Sequence, residues 1–206
     1  MMQSRLFRIL LFSTLGIVLA ALFAWQYGLL APPGRGQGGG AVAIGGPFAL
    51  VDQNGRTRTE KDFRGRLMLI YFGYTYCPDV CPTALQVMSV AMDMLGEDAG
   101  KVVPVFATVD PERDTVAHMR DYIKNFYPGM VALTGTADAV RQAAKAYRIY
   151  YRKADVGPDG KKSGEKDYLM DHSSIVLLMD REGRYLTHFT HQTQSDAMAA
   201  EIRRRL

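Results

Sequence analysis

Cys77 and Cys81 are the only cysteines of a 206-residue chain, and both lie in Tyr71 to Leu85, YFGYTYCPDVCPTAL. Thiols at this spacing have three chemical uses: a structural staple, a reversible disulfide, or a grip on a soft metal ion. Closing so small a loop restricts the unfolded chain little, so a staple would stabilise weakly. Reactive or metal-binding chemistry is the stronger reading. A proline follows each cysteine, which disfavours the α region at Cys77 and Cys81. The pair is therefore expected in a tight loop ahead of a helix, not on one regular helical face. At a helix N-terminus the dipole and the free backbone N–H groups favour thiolate over thiol. Thiolate is both nucleophile and metal ligand, so the pair alone does not separate redox work from metal binding.

A third group can. Two thiolates and an imidazole suit a soft monovalent copper ion, and four histidines are available. His118 reads as a mid-helix surface residue in VAHMRDY. His188 and His191 fall on a strand end and the following turn, where solvated side chains are the rule. His172, in YLMDHSS, immediately precedes a buried strand; it either caps that entrance or reaches the thiols from a neighbouring loop. Asp171 could orient its ring or add an oxygen ligand. Asp79, between the thiols, has the same two uses beside that of a turn-forming aspartate. Met88, Met92, Met94 and Met119 are read as packing among Leu and Val, not as thioether ligands.

The elements that must position these groups follow from pattern. Residues 47–60 alternate around Asn54-Gly55, a two-residue hairpin signal. Leu67 to Tyr74 is a continuous apolar run, expected of a buried central strand. Pro82 suits the first position of a helix, and Leu85, Met88, Ala91, Met92 and Leu95 follow at helical spacing up to Gly96. Lys101 to Asp110 reads as a strand, in which Pro104 either argues against strand or places a bulge. Pro111-Glu112 opens a helix reaching about Tyr127. Val131 to Leu133 is a short strand, Thr136 to Tyr151 a helix, and 152–168 a charged exposed loop or hairpin excursion. Ser174 to Asp180 and Arg184 to Phe189 form a hairpin, and Ser195 caps a last helix. The order β-α-β-α-β-α-β-β-α, with thiols after an early central strand, points to an α/β, three-layer sandwich of thioredoxin type.

The front of the chain is of another kind. No charged residue occurs from Ile9 to Ala31, a length that at about 1.5 Å per residue crosses a bilayer core of about 30 Å. Arg5 and Arg8 precede it, so residues 1–8 are expected in the cytoplasm, 9–31 as a transmembrane helix, and the domain outside. A cleaved signal peptide is the competing expectation. Residues 32–46 read as a glycine-rich linker, and 47–206 as the folded domain. A net charge of +4, with no basic patch interleaved with aromatics, argues against nucleic-acid binding.

Three blocks together, YFGYTYCPDVCPTAL, VDPERDT (Val109 to Thr115) and YLMDHSS, resemble the Sco/SenC family of copper-binding assembly proteins over roughly residues 45–206. The resemblance implies a thioredoxin-like domain holding one copper ion, Cu(I) or Cu(II), through Cys77, Cys81 and His172. It implies a role in maturing the binuclear copper site of cytochrome c oxidase. The partners would be the oxidase's copper-bearing subunit and other copper carriers. The expected location is the inner membrane, single-pass, with the domain in the periplasm. Asp110 and Asp114 belong to the family pattern too; they are either helix-opening acids or groups that handle copper or partners. A rival function is a membrane-anchored thiol–disulfide oxidoreductase, with Cys77 and Cys81 catalytic, that reduces the oxidase subunit's copper-ligand cysteines. The three-residue spacer between the thiols counts against a general reductase.

Overall fold

A computed structural model describes residues 43–157, 164 and 167–206, together with Phe23. The expected cytoplasmic N-terminus (1–8), the membrane anchor (9–31) and all but the last four residues of the linker (32–46) lie outside the described residues. Among those described, no helix is long and apolar enough to cross a membrane. Residues 43–206 form one compact unit.

Its frame is a seven-stranded sheet in the order β2-β1-β5-β4-β3-β8-β9. β1 (Ala49–Asp52) and β2 (Thr57–Thr59) form the expected hairpin. Its loop is longer than the two residues that Asn54-Gly55 suggests. The Asp52 N–H donates to the Arg56 carbonyl at 2.8 Å, and Gly55 sits at φ 78°. This is the three-residue loop whose last position needs a left-handed residue. The Asp52 carboxylate favours it by accepting from the N–H groups of Asn54 and Arg56.

β3 (Leu67–Gly73), β4 (Val102–Thr108) and β5 (Val131–Thr134) run parallel. β3 and β4 are buried along their whole length, as strands covered on both faces must be. The expected bulge at Pro104 is absent: Pro104 pairs in regular register with Leu69. Pairing with β5 begins only at Val105, so the missing N–H falls at the margin of that ladder. β8 (Ile175–Met179) and β9 (Tyr185–Thr190) extend the sheet antiparallel beyond β3.

Helices lie on both faces. On one, α1 (Val80–Leu95) packs on α4 (Ser195–Arg203). The same face takes α2 (Val116–Ile123), whose Tyr122 ring lies 5.8 Å from that of Phe106 in β4. On the other, α3 (Ala137–Ala146) leads into Tyr147, whose ring meets Phe72 of β3 and Phe48. This is the three-layer, thioredoxin-like α/β sandwich expected.

Several boundaries differ from the pattern. α1 starts at Val80, so Cys81 is inside its first turn. Pro82 permits this because the first helical N–H groups lack intrahelical acceptors anyway. α2 starts only at Val116, where the Thr115 hydroxyl accepts from the His118 N–H; residues 110–114 form a separate turn. α3 stops at Ala146, and the chain then enters β6 (Tyr151–Lys153), which pairs with β7 (Met170–His172) in a second, two-stranded sheet. At α4 the cap residue is Gln194, not Ser195.

Candidate metal centre

β3 ends at Gly73, and the chain turns through Tyr74, Thr75 and Tyr76 to Cys77 before α1 begins. The Cys81 N–H, unsatisfied within the helix, donates to Cys77 Sγ at 3.4 Å. No disulfide joins the two thiols. From the second sheet, His172 brings Nε2 to 3.3 Å from Cys81 Sγ. Its Nδ1 lies 3.2 Å from the Ser173 carbonyl. A carbonyl only accepts, so Nδ1 carries a proton, and Nε2 is the ring atom turned toward the sulfurs. The donor atoms of Cys77, Cys81 and His172 all lie within 4.8 Å of one another. Two soft sulfurs and one imidazole nitrogen at this spacing fit a soft, low-coordinate metal ion.

The thiols are less accessible than a surface-loop reading suggests. Cys81 is fully buried and Cys77 is 8% exposed. Cys81 lies beneath β3, where the Tyr71 hydroxyl donates to its sulfur at 3.5 Å. Gly73 is needed there. A Cβ at this position would come within 2.9 Å of Cys81 Sγ and 2.8 Å of the Tyr71 ring. The rings of Tyr71 and Tyr74 meet His172 edge-on, at 6.0 and 5.8 Å.

The environment splits the pair electrostatically. The hydrogen bond from Cys81 holds the Cys77 thiol well below its ordinary value against the opposing effect of burial; His172 and the N–H groups of Asp79 and Cys81 assist. Cys81 is driven upward by the Cys77 thiolate and by burial. The two shifts run in opposite directions, biasing Cys77 toward thiolate and Cys81 toward thiol. Burial and the nearby sulfurs keep the Tyr71 phenol protonated, able to donate. Burial pushes Tyr74 up to about 12, against a smaller opposing effect of the Met170 backbone.

The four acids are placed apart from the donor cluster. Asp171 alternates with His172 on β7 and pairs with Arg152 at 2.9 Å, both about half exposed. Asp79 is the residue before α1, its carbonyl accepting from the Thr83 hydroxyl. With His191 it lines a cleft of about 200 Å³ that shares Tyr71 with the thiol site. Asp110 and Asp114 are buried and bonded within the protein. His118 stacks on the exposed Tyr76 and bonds Thr75, and His188 bonds Tyr185. The aromatic run before Cys77 could have signalled the roles of Tyr71 and Tyr74; nothing local marks Gly73 or Thr75.

Residues 36–206 match the family model SCO1/SenC. The mitochondrial SCO1 homolog 1 of Arabidopsis thaliana is 40% identical over 174 residues, covering 82% of this chain and 50% of its own length. The SCO2-like protein of Rickettsia prowazekii is 38% identical over 194 residues, 91% of either chain. The chain thus spans half of the first relative and nearly all of the second. Among solved structures, Bradyrhizobium japonicum ScoI with copper bound superposes with a TM-score of 0.72 at 42% identity, covering 80% of this chain and 100% of that one. With fold, sequence and donor cluster in agreement, the chain belongs to the SCO1/SenC family.

Proposed function

We propose that this domain carries one copper ion between Cys77, Cys81 and His172 and delivers it during maturation of the binuclear copper site of cytochrome c oxidase. The observation that carries the reading is the convergence of three soft or borderline donors within 4.8 Å, with the thiols unpaired. The copper-bound relative, similar over four fifths of this chain, supports it. Copper is cargo here, taken up as Cu(I) or Cu(II) and released. Cys77 needs no proton removed before it ligates, whereas Cys81 must lose one, so uptake releases a proton. Cys81 lies deepest, so exchange with a donor or acceptor begins at Cys77 and His172. Tyr76 and Val80, 50% and 40% exposed, flank that approach.

In this reading residues 9–31 anchor the chain in the inner membrane by a single span, with the domain in the periplasm facing the oxidase's copper-bearing subunit. Residues 32–46 supply the reach.

The split between Cys77 and Cys81 also favours a second activity on the same atoms. The Cys77 thiolate attacks a partner disulfide, forming a mixed disulfide and expelling one partner thiolate. Cys81, on losing its proton, then attacks Cys77 Sγ. The products are a Cys77–Cys81 disulfide and a partner dithiol, two electrons having passed to the partner.

One paired measurement separates the two. Anaerobic titration should give one Cu(I) per chain, with affinity in His172→Ala falling by more than the roughly 100-fold that loss of a supporting group can cost. The same variant should keep its exchange rate with an oxidised oxidase-subunit peptide if electron transfer is the main work. Unchanged copper affinity in His172→Ala would remove the three-donor site.

A further inference from the structure

Asp110 and Asp114 stand at the two ends of one turn, and each is bonded to a different arm of the donor cluster. The turn is closed by the Asp114 N–H donating to the Asp110 carbonyl at 3.0 Å. At one end the fully buried Asp114 carboxylate accepts from the Thr75 N–H at 3.1 Å, the Thr75 hydroxyl at 2.5 Å and the Thr108 hydroxyl at 2.5 Å. Thr75 lies two residues before Cys77.

At the other end the buried Asp110 carboxylate accepts from the Tyr168 hydroxyl at 2.7 Å and pairs with Arg113 at 2.5 Å. Arg113 in turn donates to the Tyr168 carbonyl at 2.9 Å and lies over its ring at 3.6 Å. Tyr168 lies four residues before His172, at the entry to β7. Thr108 stitches the ends together: its oxygen accepts from the Asp110 N–H and its hydroxyl donates to Asp114. The Asp114 carbonyl, held by the Thr134 hydroxyl at 2.6 Å, fixes the turn to β5.

A buried carboxylate surrounded only by donors from its own protein is costly to keep and has nothing left to offer an ion. What both acids do have is a fixed reach to the two loops that carry the donors. We propose that the turn 110–114 is a clamp that sets the separation of the Cys77 arm from the His172 arm. Asp114 and Asp110 are then positioning residues, acting through Thr75 and Tyr168. The inference rests on the copper-carrier reading, and it assigns the VDPERDT block to the geometry of that site instead of to metal ligation.

The test uses the full chain with Thr75→Val and Tyr168→Phe, which remove one hydroxyl each and leave the core volume nearly unchanged. Both should unfold cooperatively by circular dichroism. Each should bind Cu(I) about 10-fold more weakly than wild type in competition with a chromogenic chelator, the low end for loss of a supporting partner. Thr75→Ser, which keeps the hydroxyl, should restore wild-type affinity. With Cu(II), Thr75→Val should shift the sulfur-to-copper charge-transfer band, and Tyr168→Phe the nitrogen hyperfine coupling. A folded Thr75→Val or Tyr168→Phe with wild-type affinity and spectrum overturns the clamp. If wild type itself binds no copper, the carrier reading fails, and the clamp is judged on the apo protein. There the alkylation rate of Cys77 should change in Thr75→Val and recover in Thr75→Ser; an unchanged rate overturns it.

Discussion

The cysteine arm and the histidine arm meet at one point but are built from different materials. Cys77 and Cys81 hang from β3, a strand flanked by β4 and β8 and buried throughout, and from the first turn of α1. His172 hangs from a two-stranded sheet of three-residue strands, edged by exposed ion pairs between Arg152 and Asp171 and between Lys153 and Glu112. The sulfurs are thus placed by the core, the imidazole by a peripheral ribbon held through the Tyr168–Asp110 bond and the contact of the Tyr74 ring with His172. A carrier needs both properties. In the copper-carrier reading the core fixes a gripping pair, while the ribbon supplies a third donor from outside the main sheet.

The sharpest way to break that contrast is to disturb the arms separately. Gly73→Ala drives a methyl into Cys81 Sγ and the Tyr71 ring, so it should cost about 1–3 kcal/mol in denaturant unfolding and weaken copper binding as well. His172→Ala should abolish tight Cu(I) binding at a stability cost of only about 1 kcal/mol. Equal stability losses in the two variants would mean that the ribbon is as integral to the core as β3.

A pH series sharpens the cysteine side. Because Cys77 is shifted down from 9.0, it is thiolate below the range where an ordinary thiol ionises. Its alkylation rate should therefore be level from about pH 6 to 8, where a free thiol's rate rises with pH because its pKa is about 8.5. Cys81, shifted up, should stay unmodified. A rate at Cys77 that climbs with pH like a free thiol's would mean that the Cys81 hydrogen bond does not hold it ionised.

The smallest effect belongs to the exposed edge of the ribbon. Arg152→Ala removes a half-exposed ion pair and should change stability by at most about 1 kcal/mol, with copper affinity unchanged. A marked affinity loss on mutating Arg152 or Asp171 would bring Asp171 into the site.

Much of this contrast can be read from residues alone, and the unread part has physical causes. The apolar run into Cys77 and the helical spacing after Pro82 place the thiols because long, periodic elements announce themselves; His172 at a strand entrance leaves two readings open, and only the family resemblance joins it to them. β6 and β7 are three residues each, and the charged stretch between them hides the pairing of Tyr151 with His172. The start of α1 is misread because prolines after Cys77 and Cys81 argue for loop, while the first helical turn tolerates Pro82 at no hydrogen-bond cost. VDPERDT looks like a helix opening because acids favour helix N-termini. Only the tertiary partners Thr75, Thr108 and Tyr168 show its carboxylates turned inward.

The central claim is that one copper ion sits among two sulfurs of the core and one nitrogen of the ribbon. X-ray absorption at the copper edge, on the full chain loaded anaerobically with one equivalent of Cu(I), tests it most directly. The account predicts two sulfur neighbours and one nitrogen neighbour, with the nitrogen lost in His172→Ala and retained in Asp171→Asn. A wild-type spectrum without the nitrogen, or one unaltered in His172→Ala, would contradict it.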